Sequence, residues 1–314
     1  MTSPYQIVQL ASLGQAMDEE LARNYSVLPL WLESDPLPRL AEAPDAILLI
    51  TSARLGLMRS WLEALPGLKA VCSWGVGYDN FDMQAAGEHG VAVSNTPDVL
   101  DNCVADMAWA LMFSVARRTS LGDRYVKSGQ WKSVGGFPLG TRVSGKRLGI
   151  VGLGRIGLAI AKRGAGFDMD VRYHNRRERP DAPYAYEASL TDLARWADFL
   201  ILACPGGPET RHIVNSEVLR ALGPQGILVN IARGSVVDDA ALVEALRSGE
   251  LGGAGLDVFT DEPRVPAALL DMDNVSLMPH VSSNTRETRH DLGRRVMDNV
   301  LSFMETGRLV TPLR

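Results

Sequence analysis

Apolar residues in the first hundred positions come in short clusters, separated by mixed stretches of helical length. Residues 5–10 predict a strand, and 14–24 carry helical spacing. Residues 46–50 are a continuous apolar run bounded by Pro44 and Thr51, which suits a strand buried in a parallel sheet. The alternation continues through a helix at 58–65, a strand at 68–73 and a helix at 84–90 that ends on Gly90. A strand at 91–94 is closed by Asn95-Thr96-Pro97. This βα alternation predicts a parallel sheet with helices on both faces.

A longer helix comes next, from Asp98 or Asp101 to Arg117 or Arg118, with apolar positions at Val104, Met107, Ala108, Leu111, Met112 and Val115. Residues 122–144 carry Gly129, Trp131, Gly135, Gly136, Pro138 and Gly140, and read as a short helix with an irregular connection. After Gly145 the βα pattern restarts. Strands are expected at 147–151, 169–173, 199–203, 227–230, 253–257 and 275–278, with helices at 158–165, 190–195, 216–221 and 239–248. A last helix at 287–306 has no strand after it, so it is expected to pack back on the first domain. The expected fold class is α/β, with two doubly wound parallel-sheet domains. One is a discontinuous flavodoxin-like domain, 1–98 plus 288–314; the other is a Rossmann nucleotide-binding domain, 99–287, with a cleft between them.

The chain's 314 residues fit two domains at about 100–200 residues each. At 46% hydrophobic and 22% charged, the composition excludes disorder and collagen-like architectures. A pI near 5.6 and a net charge of -5 argue against nucleic acid as a partner. No stretch approaches the ~18 apolar residues of a membrane span, and the first ten residues carry no signal-peptide pattern. Cys72, Cys103 and Cys204 lie far apart, with no CxxC pair, so neither a zinc site nor a disulfide framework is expected. The chain reads as a reduced, cytoplasmic protein.

Gly152-Leu153-Gly154-Arg155-Ile156-Gly157 lies just past an expected strand and opens a helix. In such a loop the first glycine makes the turn, the second admits a pyrophosphate and the third lets the helix pack closely. Free N–H groups at the helix start then face the phosphates. About 20 residues on, an NAD site usually places an acid for the ribose 2′-hydroxyl. Here the position holds Asn175, followed by Arg176, Arg177 and Arg179. An acid would repel a 2′-phosphate and arginine would bind it, so NADP(H) is expected over NAD(H).

Three segments place polar residues just past expected strand ends: Asn230-Ile231-Ala232-Arg233-Gly234, Asp257-Val258-Phe259-Thr260-Asp261-Glu262-Pro263, and Pro279-His280-Val281-Ser282-Ser283. With the glycine fingerprint and Trp74-Gly75-Val76-Gly77-Tyr78-Asp79, they resemble the D-isomer-specific 2-hydroxyacid dehydrogenases over nearly the whole chain. Within that family the chain looks most like the NADPH-dependent glyoxylate/hydroxypyruvate reductases and the related hydroxyphenylpyruvate reductases. The resemblance puts the family's arginine at Arg233, its glutamate at Glu262 and its histidine at His280. Arg233 would bind the carboxylate of a 2-oxo acid and polarise its ketone, and His280 would donate the proton. Glu262 would orient the imidazole and favour its charged form. The resemblance also implies substrate contacts from the amides of Val76 and Gly77, with Ser52 on the pocket wall. Further cofactor contacts are implied at Cys204, Pro205, Ile231, Ala232 and Asp257. His89, His212 and His290 read as structural or solvent-facing.

The resemblance further implies a homodimer, formed mainly through the nucleotide domain. One departure stands out. Members active on glyoxylate or hydroxypyruvate can carry a tryptophan in the glycine-rich connection, where this chain has Phe137 and Leu139, with Trp131 earlier. That leaves room for a larger 2-oxo acid, aromatic or 2-ketogluconate-like. Two other readings are an NAD-dependent dehydrogenase running oxidatively and a nucleotide-sensing corepressor without turnover.

Overall fold

The computed structural model describes residues 4–313. The chain divides into two compact units. One comprises Met1–Leu100 with Asn284–Arg314, and the other Asp101–Ser283.

The first unit holds five parallel strands: β1 (Ile7–Gln9), β2 (Val27–Pro29), β3 (Leu48–Ser52), β4 (Ala70–Trp74) and β5 (Ala92–Ser94). Their order is β2-β1-β3-β4-β5, the flavodoxin-like arrangement, in which ligands bind beyond the carboxyl ends of β1 and β3. The apolar runs are central strands: Leu48, Leu49 and Ile50 of β3 are all fully buried. The helices Gln15–Asn24 and Arg286–Thr306 share one face, where Leu13, Met17 and Leu21 pack with Val296, Met297 and Val300. On the other face lie Trp61, Leu62, Leu65, Ala85 and Ala86. Thr285 caps the long helix by accepting the Thr288 N–H. The residues after that helix return to the sheet: Pro312 bridges antiparallel to Ser94, and the Leu313 N–H donates to the Val93 carbonyl at 2.7 Å.

The second unit holds seven strands: β6 (Arg147–Val151), β7 (Asp170–His174), β8 (Ala185–Tyr186), β9 (Phe199–Leu202), β10 (Ile227–Asn230), β11 (Gly253–Leu256) and β12 (Val275–Leu277). All pair in parallel in the order β12-β11-β10-β9-β6-β7-β8, a Rossmann-type doubly wound sheet. The order reverses at β6, which lies between β7 and β9, so the ligand crevice belongs at its carboxyl end. The helix Asp101–Ala116 is apolar on most sides, because it lies against the glycines of β11. A Cβ at Gly255 would sit 2.9 Å from the Leu111 Cβ. No helix among the described residues is long and apolar enough to cross a membrane.

Candidate active site

The glycine loop separates three reasons for being glycine. Gly152 turns with φ +97°, and a Cβ there would lie 2.5 Å from the Cys204 nitrogen. A Cβ at Gly157 would lie 2.2 Å from the Gly152 carbonyl oxygen, which lets the helix Arg155–Gly164 start hard against the loop. Gly154 differs: its φ of -82° is ordinary, and a Cβ would meet nothing within 4 Å. The fold has no need of glycine there, and the open space suits a pyrophosphate approaching the unpaired first-turn N–H groups. These residues therefore fit a dinucleotide.

Asn175 is turned into the loop, its Oδ1 accepting the Leu153 N–H at 2.7 Å. Arg179 also serves the loop. Its Nη1 donates to the Leu153 carbonyl at 2.8 Å, and its Nη2 pairs with Asp181 at 2.7 Å. Arg176 projects outward and forms an ion pair with Glu209, and Arg177 is exposed. Arg155 pairs with Asp101 at 3.3 Å, and Ile156 is half-buried. Cys204 lies just past β9 beside Gly152, and burial pushes its thiol up to about 11, so it stays protonated and inert at neutral pH. Pro205 beside it is exposed, and its carbonyl accepts the Thr210 hydroxyl at 2.8 Å.

The strand ends on the far side of the sheet carry the titratable cluster. At the end of β10, Asn230 accepts the Ala232 N–H and donates to the Arg233 carbonyl, each at 3.0 Å. These bonds fold Ile231 and Ala232, both buried, into a tight turn that presents Arg233. Arg233 Nη1 donates to the Ala232 carbonyl at 2.8 Å. The next residue fixes the turn against its neighbour: a Cβ at Gly234 would lie 1.9 Å from the Phe259 carbonyl carbon. In that second loop the Phe259 N–H donates to Glu262 Oε1 at 3.1 Å. Glu262 Oε2 lies 2.7 Å from His280 Nδ1. One carboxylate thus ties its own loop and the imidazole together.

His280 sits at φ +53° and is held from below by Asp257. The Asp257 carboxylate is fully buried and accepts the Val281 N–H at 2.8 Å, the Ser282 N–H at 2.9 Å and the Ser282 hydroxyl. Its carbonyl accepts the His280 N–H at 2.8 Å. Asp257 is therefore the post on which the His280 loop is built. Among the described residues, His280 Nε2 has no hydrogen-bond partner.

In the other unit, Gly75 adopts φ +122° just past β4. Its N–H donates to Thr96 Oγ1 at 3.0 Å, and Asn95 Nδ2 donates to the Val76 carbonyl at 2.8 Å. Both partners are buried, so the turn is held from behind. Among the described residues the Val76 and Gly77 N–H groups have no partner, which leaves two adjacent donors for an anion. Ser52 ends β3, and its hydroxyl accepts the Leu55 N–H at 3.2 Å.

The structure thus gathers Arg233, Glu262, His280 and Asp257 at neighbouring strand ends, and Leu153 with Asn175 at the glycine loop. Asn230, Gly234, Ser282, Asn95 and Thr96 are supporting residues, named in the sequence segments but given no role of their own there. His89 caps a helix, His212 lies in a turn with φ +52°, and His290 is exposed.

This fold and this cluster define a dinucleotide-dependent oxidoreductase. A profile of the D-isomer specific 2-hydroxyacid dehydrogenase NAD binding domain matches residues 109–282. The chain is 42% identical over 308 residues to hydroxyphenylpyruvate reductase of Plectranthus scutellarioides, covering 98% of each. It is 41% identical over 308 residues to glyoxylate/hydroxypyruvate reductase A HPR2 of Arabidopsis thaliana, again covering 98% of each. An NADPH-dependent glyoxylate/hydroxypyruvate reductase from Sinorhizobium meliloti, solved with NADP and malonate, superposes with a TM-score of 0.89 at 38% identity, covering 99% of this chain and 97% of that one. The chain belongs to the D-isomer-specific 2-hydroxyacid dehydrogenase family, and its second unit contains an NAD(P)-binding domain.

Proposed function

We propose that the protein reduces a 2-oxo acid of the glyoxylate or hydroxypyruvate type to its D-2-hydroxy acid with NADPH. The observation that carries this reading is the Glu262–His280 contact of 2.7 Å, beside a turn that presents Arg233. Bound nicotinamide supplies the hydride. Arg233 binds the substrate carboxylate and polarises the ketone. In the discontinuous unit, the adjacent N–H groups of Val76 and Gly77 are donors for a carboxylate. This makes the discontinuous unit the substrate-binding one. His280, oriented through Nδ1 by Glu262, delivers a proton from Nε2 to the developing alkoxide, and takes it back in the oxidative direction. Asp257 keeps that imidazole in register.

For the cofactor, Gly154 gives the pyrophosphate room, and Leu153, Arg155, Ile156 and Gly157 shape the loop and helix start around it. Cys204, Pro205, Ile231 and Ala232 line the strand ends alongside. NADPH is favoured because Asn175 replaces the acid and is spent on the Leu153 N–H, whereas Arg176 and Arg177 face solvent. The S. meliloti structure, solved with NADP, supports the same choice. A cytoplasmic homodimer completes the proposal. The homodimer's support is the apolar side chains that stand in solvent in the connection leading to β6: Val134 is 95% exposed and Leu139 91%.

The deciding experiment measures oxidation of NADPH and NADH with glyoxylate, hydroxypyruvate, phenylpyruvate, hydroxyphenylpyruvate and 2-ketogluconate, for wild type and His280→Ala. The small acids with NADPH should give the highest kcat/KM, and His280→Ala should lower kcat by roughly 10²–10⁴ while sparing NADPH affinity. Preference for an aromatic acid would move the substrate assignment, and a near-normal kcat in His280→Ala would remove the proton donor.

A further inference from the structure

The Arg176–Glu209 ion pair spans the nucleotide crevice. Arg176 lies two residues past the end of β7, and Glu209 lies in the short turn Pro208–Thr210 after β9. Strands β7 and β9 flank β6, whose carboxyl end opens into the glycine loop. The pair therefore bridges from one side of the switch point to the other, where the adenosine half of a dinucleotide enters. The turn that carries Glu209 is closed by a side-chain bond: the Thr210 hydroxyl donates to the Pro205 carbonyl at 2.8 Å. Both side chains are mostly exposed, at 76% and 70%, so the pair is weak enough to open for a ligand.

Two of the nearby groups are committed elsewhere, and Arg177 is exposed. Asn175 is bonded to the Leu153 N–H, and Arg179 to the Leu153 carbonyl and Asp181. A cofactor's 2′-substituent therefore meets Arg176 already holding a carboxylate. A 2′-phosphate must displace Glu209 and then tolerate its negative charge nearby. A 2′-hydroxyl can instead donate to it.

We propose that Glu209 is a specificity-determining residue: it competes with the 2′-phosphate of NADPH for Arg176 and offers the 2′-hydroxyl of NADH the acceptor that Asn175 lacks. The inference rests on the reading of Arg176 as a phosphate receptor. It turns the cofactor site into a balance of two charges on opposite strand ends, one favouring each cofactor.

The test uses direct binding. Dissociation constants for NADPH and NADH come from fluorescence titration, and those for adenosine 2′,5′-bisphosphate and 5′-AMP from calorimetry. The proteins are wild type, Glu209→Gln, Arg176→Ala and the double variant. Glu209→Gln should tighten the two 2′-phosphorylated ligands by about two- to fivefold and weaken NADH and 5′-AMP by a similar factor. The gain should shrink at high salt, and it should shrink again in the Arg176→Ala background. Equal changes for phosphorylated and unphosphorylated ligands, or no change, would overturn the role of Glu209. An unchanged NADPH/NADH ratio in Arg176→Ala would instead overturn the phosphate-receptor reading beneath it.

Discussion

At the residue scale, the three glycines of the fingerprint should respond differently to the same methyl group. Gly152→Ala puts a Cβ at φ +97° and 2.5 Å from a backbone nitrogen, so it should destabilise the fold by about 2 kcal/mol or more. Gly154→Ala meets nothing within 4 Å and should leave the melting temperature nearly unchanged while weakening both NADPH and NADH. Differential scanning fluorimetry with and without cofactor separates the two, and comparable destabilisation by both would remove the argument for a ligand at Gly154. The sequence marked these glycines by spacing, and it marked Arg233, Glu262 and His280 by their places past apolar strands. It held no sign that Gly234 touches Phe259 or that Asp257 anchors Ser282, because those contacts join residues about 25 apart through the fold. The buried Asp257 carboxylate, expected as a cofactor contact, also shows how an acid at a strand end can shape a loop.

At the element scale, the apolar strands were legible, down to the three-residue edges β5 and β12, but the edges β2 and β8 were not. Strands β2 and β8 have three and two residues, too few for an alternating pattern, and both lie at sheet edges. Pro29 in β2 argues against a strand in sequence, yet an edge needs no N–H from it on its outer side. Charge placement at strand starts also escapes a hydropathy pattern. Asp198 precedes β9 and takes the Arg147 N–H at 2.9 Å and its guanidinium at 3.1 Å, pinning β6 to its neighbour. Partial burial by itself would raise the Asp198 carboxyl, but bonds from Arg147, with Lys146 nearby, outweigh it and hold the group below the usual carboxylate range. A carboxyl lowered on folding stabilises fully above its unfolded pKa of about 3.9 and loses that contribution as pH falls through the folded value. Arg147 is nearly half exposed, so solvent screens the pair, and Asp198→Asn should cost about 1 kcal/mol at neutral pH. Urea unfolding should show this gap at pH 7 and its closure as the pH drops below about 4; a gap independent of pH would assign the loss to packing.

At the scale of the whole molecule, the helix Arg286–Thr306 was expected to pack back on the first domain, and its Val296, Met297 and Val300 pack with Met17 and Leu21. The Thr-Pro-Leu segment beyond the helix was not legible, since it carries no strand pattern. The structure uses those residues as a clasp. Thr311 donates to the Asn95 carbonyl at 2.6 Å, and its N–H donates to the buried Asn299 Oδ1 at 3.0 Å. Asn95 in turn holds Val76. The segment after the last helix thus supports the turn that carries the Val76 and Gly77 N–H groups. Asn299→Ala removes the buried partner of Thr311 and should destabilise the discontinuous unit by about 1–3 kcal/mol. It should also raise KM for the 2-oxo acid more than it changes NADPH affinity. Hydrogen exchange reads the first effect, as loss of protection in β5, and an unchanged β5 would separate the clasp from the sheet. The same arrangement orders events in time during synthesis. The unit Asp101–Ser283 is continuous and is complete before the ribosome reaches Asn284, whereas the first hundred residues lack the helix that covers one face of their sheet. At about 5–20 residues per second, the exposed face of β3 and β4 waits roughly ten seconds or longer for its cover, so the sheet made before the second unit is completed after it.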